Sequence, residues 1–409
     1  MTKRIAALIF IFFCTSVAWM ILGATISYRT YNADEELHSR VASTWGTAQS
    51  QSPPSAHYTV SEPVTVTKTV NGETVETTKL RERPVNVPLE SSSVNAAFRY
   101  DPRQKGLLWY STYHVAFDGK FNFRNPSDRE QNVFFSFPLP AEKAQYDDLN
   151  FSLNGQPLEL SHDKNFVSAV ATLPAGGQGE LSVHYLSQGL DRWTYSFGDS
   201  VNQVRNFRLD VSTNFQDYDF ASNSLSPTAE RKNRGSAQLA WEYKDLVSGY
   251  PIVLVMPQKL QPGPIAERIS FFAPVSLFFF FFLLFILCTV RGIDLHPMHY
   301  FFLACTFFSF HVLLAYLADH ISIHVAFVIC SAVSIFLLVS YLRRVVNPRF
   351  AVGVAGLIQL IYLVLFSYAF FFEGFTGLAI TIGAILTLFI VMQMTATVRW
   401  SEKLTVKPA

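Results

Sequence analysis

Two groups of histidines have the residue types and spacing that chemistry would need. His296 and His299 stand at i,i+3 and would share one face of a helix, the geometry of a metal-binding pair. Asp294 is close, but a catalytic zinc needs a third ligand and a base, and no H-E-x-x-H or comparable set is nearby. The structural alternative is that His296-Pro297 starts a helix at a membrane boundary. Asp319, His320 and His324 place a carboxylate beside two imidazoles that titrate near neutrality, which suits a proton sensor or a cation site. The structural alternative is that they end two helices in the headgroup layer. Asp319 would then accept hydrogen bonds from the free N–H groups of the following helix. His311 falls inside an apolar run, where a polar side chain turns toward other helices, and is read as packing. No P-loop, dinucleotide fingerprint or serine elbow occurs. Gly176-Gly177 with Gly179 lies in a Pro-Ala-Gly-Gly hairpin loop rather than between a strand and a helix. No catalytic residue, cofactor or metal is therefore assigned.

The elements that must position these side chains are apolar runs. Half of the 409 residues are hydrophobic and 38 are Phe, which makes a membrane part the expectation. With 32 basic and 31 acidic residues, no net charge argues for nucleic acid. From Ile269 to Val398 the only charges are Arg291, Asp294, Asp319, Arg343, Arg344, Arg349 and Glu373, each between apolar runs. Five runs follow, Ile269–Val290, Met298–Leu317, Ser322–Tyr341, Phe350–Phe372 and Phe375–Val398, each near the ~20 residues that cross a bilayer. None contains Asp, Glu, Lys or Arg, which counts against an ion-coupled transporter. Ile5 to Ile26 is a sixth charge-free run, longer than a signal-peptide core and read as an anchor, with Gly23-Ala24 leaving cleavage open. If all six cross, Lys3 and Arg4, Arg291, Arg343, Arg344, Arg349, Arg399, Lys403 and Lys407 all fall on one side, which is then cytoplasmic. Cys14, Cys288, Cys305 and Cys330 all lie in apolar segments, so the polar middle of the chain holds no disulfide framework.

Asn32 to Ala48 is expected to form a separate short helix with Leu37, Val41 and Trp45 on one face, ended by Pro53-Pro54. Between Tyr58 and Pro257 the pattern is strand after strand. Asn71-Gly72, Asp118-Gly119 and Asn154-Gly155 each supply the positive φ angles of a two-residue hairpin turn, which predicts an antiparallel sheet. Further strands are expected at Asn132–Phe137, Phe166–Leu173, Glu180–Leu186, Trp193–Phe197, Phe207–Thr213, Ala237–Tyr243 and Ile252–Met256. So many short strands predict a sandwich, large enough to bury its own core.

The order His296-Pro297-Met298-x-Tyr300, apolar span, Phe310, Leu313-Leu314, Asp319-His320, apolar span, Tyr341 resembles the C-terminal half of the bacterial CreD family of inner-membrane cell-envelope integrity proteins. Trp45-Gly46 with Gln49, and Gly106 to Tyr110 through Tyr113 to Gly119-x-Phe121, are similar to two further family segments. His299 stands where Gln is usual, Asp319 where Glu is, His311 where Tyr is common, and Cys288 where many members have Glu. The expected fold is a membrane protein of six transmembrane α-helices, one N-terminal and five C-terminal, with an all-β, sandwich-like periplasmic domain. Its divisions are 1–27 (anchor), 28–268 (periplasmic β domain), 269–398 (five-helix bundle) and 399–409 (cytoplasmic tail). The resemblance implies a non-enzymatic role in envelope integrity or stress response, and the alternative is a small-solute or lipid transporter, or a subunit of one, with a β receptor or gate. A third reading is a membrane-embedded hydrolase using His296 and His299. The partners implied are the lipid bilayer and other envelope proteins through the β domain. The residues singled out are His296, Pro297, Tyr300, Asp319 and His320.

Overall fold

A computed structural model of the protein describes residues 2–70, 73–198, 202–372 and 374–396. It divides into two compact units, one made of Met1–Glu36, Lys105–Leu108 and Leu260–Ala409, the other of Leu37–Gln104 and Trp109–Lys259.

Among the described residues six helices are long and apolar enough to cross a membrane. They are α1 (Thr2–Trp45), α2 (Pro262–Arg291), α3 (Pro297–Leu317), α4 (Ile323–Val345), α5 (Pro348–Phe371) and α6 (Thr376–Thr395). The turns between them carry the residues that stop and start helices. Gly292 ends α2 in the left-handed conformation, φ 67°, where a Cβ would be strained. His296 precedes Pro297, and Asn347 precedes Pro348; proline at the first helical position lacks only an N–H that would have no partner there. The core of this unit is aromatic: Phe280 lies 4.7 Å from Phe307, and Phe281 meets Tyr300 edge-on at 5.4 Å. By contrast α6 turns Leu378, Ile382, Ile385, Leu388, Phe389 and Met392 outward, the surface that a lipid-facing helix presents. The expected separate helix over Asn32–Ala48 is not separate, since α1 runs unbroken from Thr2 to Trp45. No Pro or helix-stopping Gly intervenes, and a polar composition alone does not end a helix.

In the β unit an eight-stranded sheet is built on Gln178–Leu190, Thr112–Arg124, Leu89–Tyr100, Asn202–Thr213 and Ser236–Ser248, side by side in that order. One face is covered by a five-stranded sheet containing Gln131–Pro138 and Phe166–Leu173, and by a four-stranded sheet containing Arg192–Tyr195 and Ile252–Val255. Along Thr112–Arg124, Tyr113, Val115, Phe117, Phe121 and Phe123 alternate inward, the two-residue period of a strand covered on one face. Phe117, Phe121 and Phe151 surround Phe137 of the covering sheet at 6.1, 6.5 and 5.5 Å. Phe98 meets Trp193 at 5.3 Å across the other contact. The sandwich expectation holds.

Three expectations for this unit have mixed outcomes. Asn154-Gly155 is a hairpin turn, with φ of 52° and 79° and Leu153 opposite Gln156. Asn71-Gly72 lies outside the described residues, between strands that pair Val70 with Glu73. Asp118-Gly119 is not a turn: both residues sit mid-strand, opposite His184 and Val183 on one side and Asn95 and Val94 on the other. The glycine is there for space rather than for φ, because a Cβ on Gly119 would come within 2.5 Å of the Phe121 ring and 2.9 Å of Phe117. Its neighbours fold their rings over the gap. Nor are the sheets wholly antiparallel, since Leu89–Tyr100 runs parallel to Asn202–Thr213 and Gln49–Gln51 parallel to Arg192–Tyr195.

Candidate functional site

The residues singled out from the sequence lie at the two ends of α3, and α1 reaches both ends. At the first end the Arg4 guanidinium forms an ion pair with Asp294 and donates to the Leu295 carbonyl at 2.5 Å. The Met298 N–H donates to His296 Nδ1 at 3.3 Å, so His296 is tied to its own helix start, next to Pro297. His299 Nδ1 is 2.7 Å from the Tyr341 hydroxyl on α4. The two imidazole rings lie 6.5 Å apart and nearly perpendicular, each engaged elsewhere. Tyr300 is fully buried against Phe281. Among the described residues no three His, Cys, Asp or Glu side chains gather as metal ligands would.

At the other end Asp319 Oδ2 accepts from Arg29 Nη2 at 2.6 Å, and the Arg29 guanidinium also lies over the Tyr316 ring at 5.1 Å. The two carboxylate-imidazole partners expected for Asp319 are not gathered around it. His320 is exposed, and His324 leans on Phe371 at 5.2 Å. The capping role read for Asp319 is not seen either: Ser322 is the residue before α4, and among the described residues Asp319 accepts from Arg29 rather than from the N–H groups of that helix. The carboxylate is drawn instead to a full positive charge, which outweighs the half charge of a helix end.

Both pairs join α1 to α3 and therefore set the two helices parallel. At ~1.5 Å per residue, Arg4 and Arg29 are ~37 Å apart along α1, somewhat more than the ~30 Å hydrocarbon core. Between them, Trp19 is fully buried, edge-on to Phe308 at 5.3 Å and to His311 at 5.6 Å. His311 Nδ1 bonds back to the Phe307 carbonyl at 2.9 Å, while its Nε2 is buried with no hydrogen-bond partner among the described residues. Leu107 is buried beside Ile26, Ala266, Ala315 and Ala318, close to the Arg29 end of α3. There the Gly263 N–H donates to the Leu107 carbonyl at 3.1 Å, and a Cβ on Gly263 would meet Thr30 at 2.5 Å.

Sequence reasoning missed two features. Arg29 lies 290 positions from Asp319, and no local pattern links them. Gln359 is fully buried in α5; its Nε2 donates to Ser334 Oγ at 2.6 Å, and Ser334 Oγ donates to the Thr306 carbonyl at 2.5 Å. Its carbonyl oxygen has no partner, and α5 is wound as π-helix on both sides of it, over Ala351–Gly356 and Leu360–Leu365. The available signal was an amide in an apolar span.

The comparisons with known proteins find a family match in the membrane half. The family model described as "Inner membrane protein CreD" matches residues 256–401. A comparison with curated proteins returns no match. Among solved structures, a putative nutrient binding protein from Legionella pneumophila is similar at 12% identity and TM-score 0.36, over 55% of this chain and 74% of that one. An M1 zinc metallopeptidase from Deinococcus radiodurans is similar at 12% identity and TM-score 0.29, over 42% of each chain. Likenesses this distant carry no argument about activity. Residues 256–401 are thus similar to the CreD family of inner membrane proteins, in a chain whose described residues include six helices long and apolar enough to cross a membrane and a large β domain.

Proposed function

We propose that the protein is a non-catalytic scaffold of the bacterial inner membrane that contributes to envelope integrity or to the response to envelope stress. The observation that carries this reading is the pairing of Asp294 and Asp319 with Arg4 and Arg29. Each acid flanking α3 pairs with an arginine of α1, which ties the two helices together at both ends. In this reading both termini are cytoplasmic and residues 28–268 face the periplasm, with 1–27 as anchor, 269–398 as bundle and 399–409 as tail. Support comes from the basic residues: Arg291, Arg343, Arg344 and Arg349 lie at the same ends of their helices as the start of α1, while Arg29 at the opposite end is neutralised by Asp319. The β domain then meets other envelope proteins. A strain lacking the protein should become sensitive to detergents and cell-wall inhibitors, with rescue by the wild-type chain. Periplasm-active reporters fused after Ala48, Gly177 and Gly374 should be active, and one after Asn347 silent; activity at Asn347 would overturn the orientation.

The alternative, a small-solute or lipid transporter, is favoured by one observation, the unpartnered Gln359 carbonyl between two π-helical segments. Gln359→Leu separates the readings. A scaffold keeps full rescue, whereas a transporter with its polar site in α5 loses it while the protein stays inserted.

A further inference from the structure

Between α3 and α4, at the end of the bundle that carries His296 and His299, an open groove of about 730 Å³ is lined by Phe302, Phe336 and Leu337 along its length and by Tyr341, Arg343 and Arg344 at its mouth. Its walls are mainly aromatic and aliphatic, with Cys305, Thr306 and Ser340 between, and open outward: Phe302 and Phe336 are exposed although both lie within candidate spans. Arg343 and Arg344 are exposed in the last turn of α4 and make no hydrogen bond or ion pair with any described residue. In this they differ from Arg4 and Arg29, which are committed to carboxylates.

We propose that this groove binds one anionic phospholipid, an acyl chain lying along Phe302 and Phe336 and the phosphate held by Arg343 and Arg344. The length of the arrangement matches that ligand. Phe336 lies two turns of helix before Arg344, so the groove runs from the headgroup layer into the hydrocarbon, as a lipid does. The charge matches too. The carbonyls ending α4 contribute about half a negative charge, while two guanidiniums contribute two positive ones, leaving a positive surplus that draws a phosphodiester and holds it with bidentate hydrogen bonds. Net charge then decides among lipids. Phosphatidylethanolamine offers a phosphate whose ammonium cancels it, whereas phosphatidylglycerol offers the phosphate alone. The 2.7 Å contact of His299 with Tyr341 ties α3 to α4 beside the mouth, so the site is built before a lipid arrives.

The test uses the full chain in nanodiscs of equimolar phosphatidylethanolamine and phosphatidylglycerol, with lipids retained by the protein counted by native mass spectrometry. With about 1 kcal/mol, or ~5-fold, for each arginine near the surface, wild type should retain phosphatidylglycerol ~30-fold over phosphatidylethanolamine. Arg343→Gln alone should reduce that preference ~5-fold, and Arg343→Gln with Arg344→Gln should abolish it. Arg291→Gln, exposed at the end of α2 and outside the groove, should leave it unchanged. On wild type alone, phosphatidylglycerol with a photoreactive acyl chain should label peptides containing Phe302 or Phe336. Retention of the preference in the double variant, an equal loss in Arg291→Gln, or photolabelling spread evenly over the outward helices would each overturn the site.

Discussion

The two units place their charges in opposite ways. In the β unit the ion pairs are short but exposed: Arg208 meets Asp210 at 2.6 Å and Lys232 meets Glu230 at 2.9 Å, with about half of each basic side chain in solvent. Such pairs contribute little, because water and salt screen them. Stability there comes from the aromatic layer around Phe137, buried from water on folding. In the membrane unit that driving force is weak, since lipid is as apolar as the helix faces, and helices associate through packing and a few polar contacts. Of its inter-helix ion pairs among the described residues, Arg29–Asp319 is the partly buried one, whereas Asp294 of the other is 88% exposed. Arg29 and Asp319 are only 33% and 19% exposed, against 54% and 36% for Arg208 and Asp210, and that difference decides which pair is worth breaking.

The largest expected effect is in the β core. Phe137→Ala removes a ring that touches Phe117, Phe121, Phe151 and Tyr185, and should destabilise the β unit by ~4 kcal/mol. Chemical denaturation followed by tryptophan fluorescence would report it, and an unshifted transition would show that the aromatic layer is not what holds the unit. Gly119→Ala comes next. Its Cβ has no room beside Phe121, which is fully buried and cannot swing away, so a loss of ~2 kcal/mol is expected in the same measurement. In the membrane unit Ser334→Ala removes the link between Gln359 and the Thr306 carbonyl, and should lower thermal stability in detergent by ~1 kcal/mol. Asp210→Asn should be the mildest, smaller than Ser334→Ala and fading in salt. A cost for Asp210→Asn larger than that for Ser334→Ala would reverse the comparison.

How far these features could be read in advance follows from the range of the interactions. The six helices were legible because a span is a local property, written in consecutive apolar residues from Ile5 and from Ile269 onward. Most strands were legible for the same reason, through two-residue alternation between turn residues. Asp118-Gly119 was misread because its dipeptide has two uses, a turn or a gap between rings, and the choice is made by Phe117 and Phe121 packing on a second sheet. At the candidate site Asp319 was found, but its role was assigned to the helix next to it in sequence. The partner that claims it, Arg29, sits on α1, and only the tertiary arrangement brings them together. Gln359 was overlooked because an amide in an apolar run stands out less than a histidine, although burial makes its hydrogen bonds just as consequential.

The central claim is that Asp319 is a structural residue that holds α1 along α3 through Arg29, rather than a sensor or a cap. Charge exchange tests it most directly, read as the thermal stability of the full-length protein in detergent. Arg29→Asp alone and Asp319→Arg alone each leave two like charges facing one another at a partly buried site, and each should cost ~3 kcal/mol. The two together restore opposite charges in reversed order and should recover most of that loss, a coupling that independent sites do not show. A double variant no more stable than the worse single variant would contradict the account.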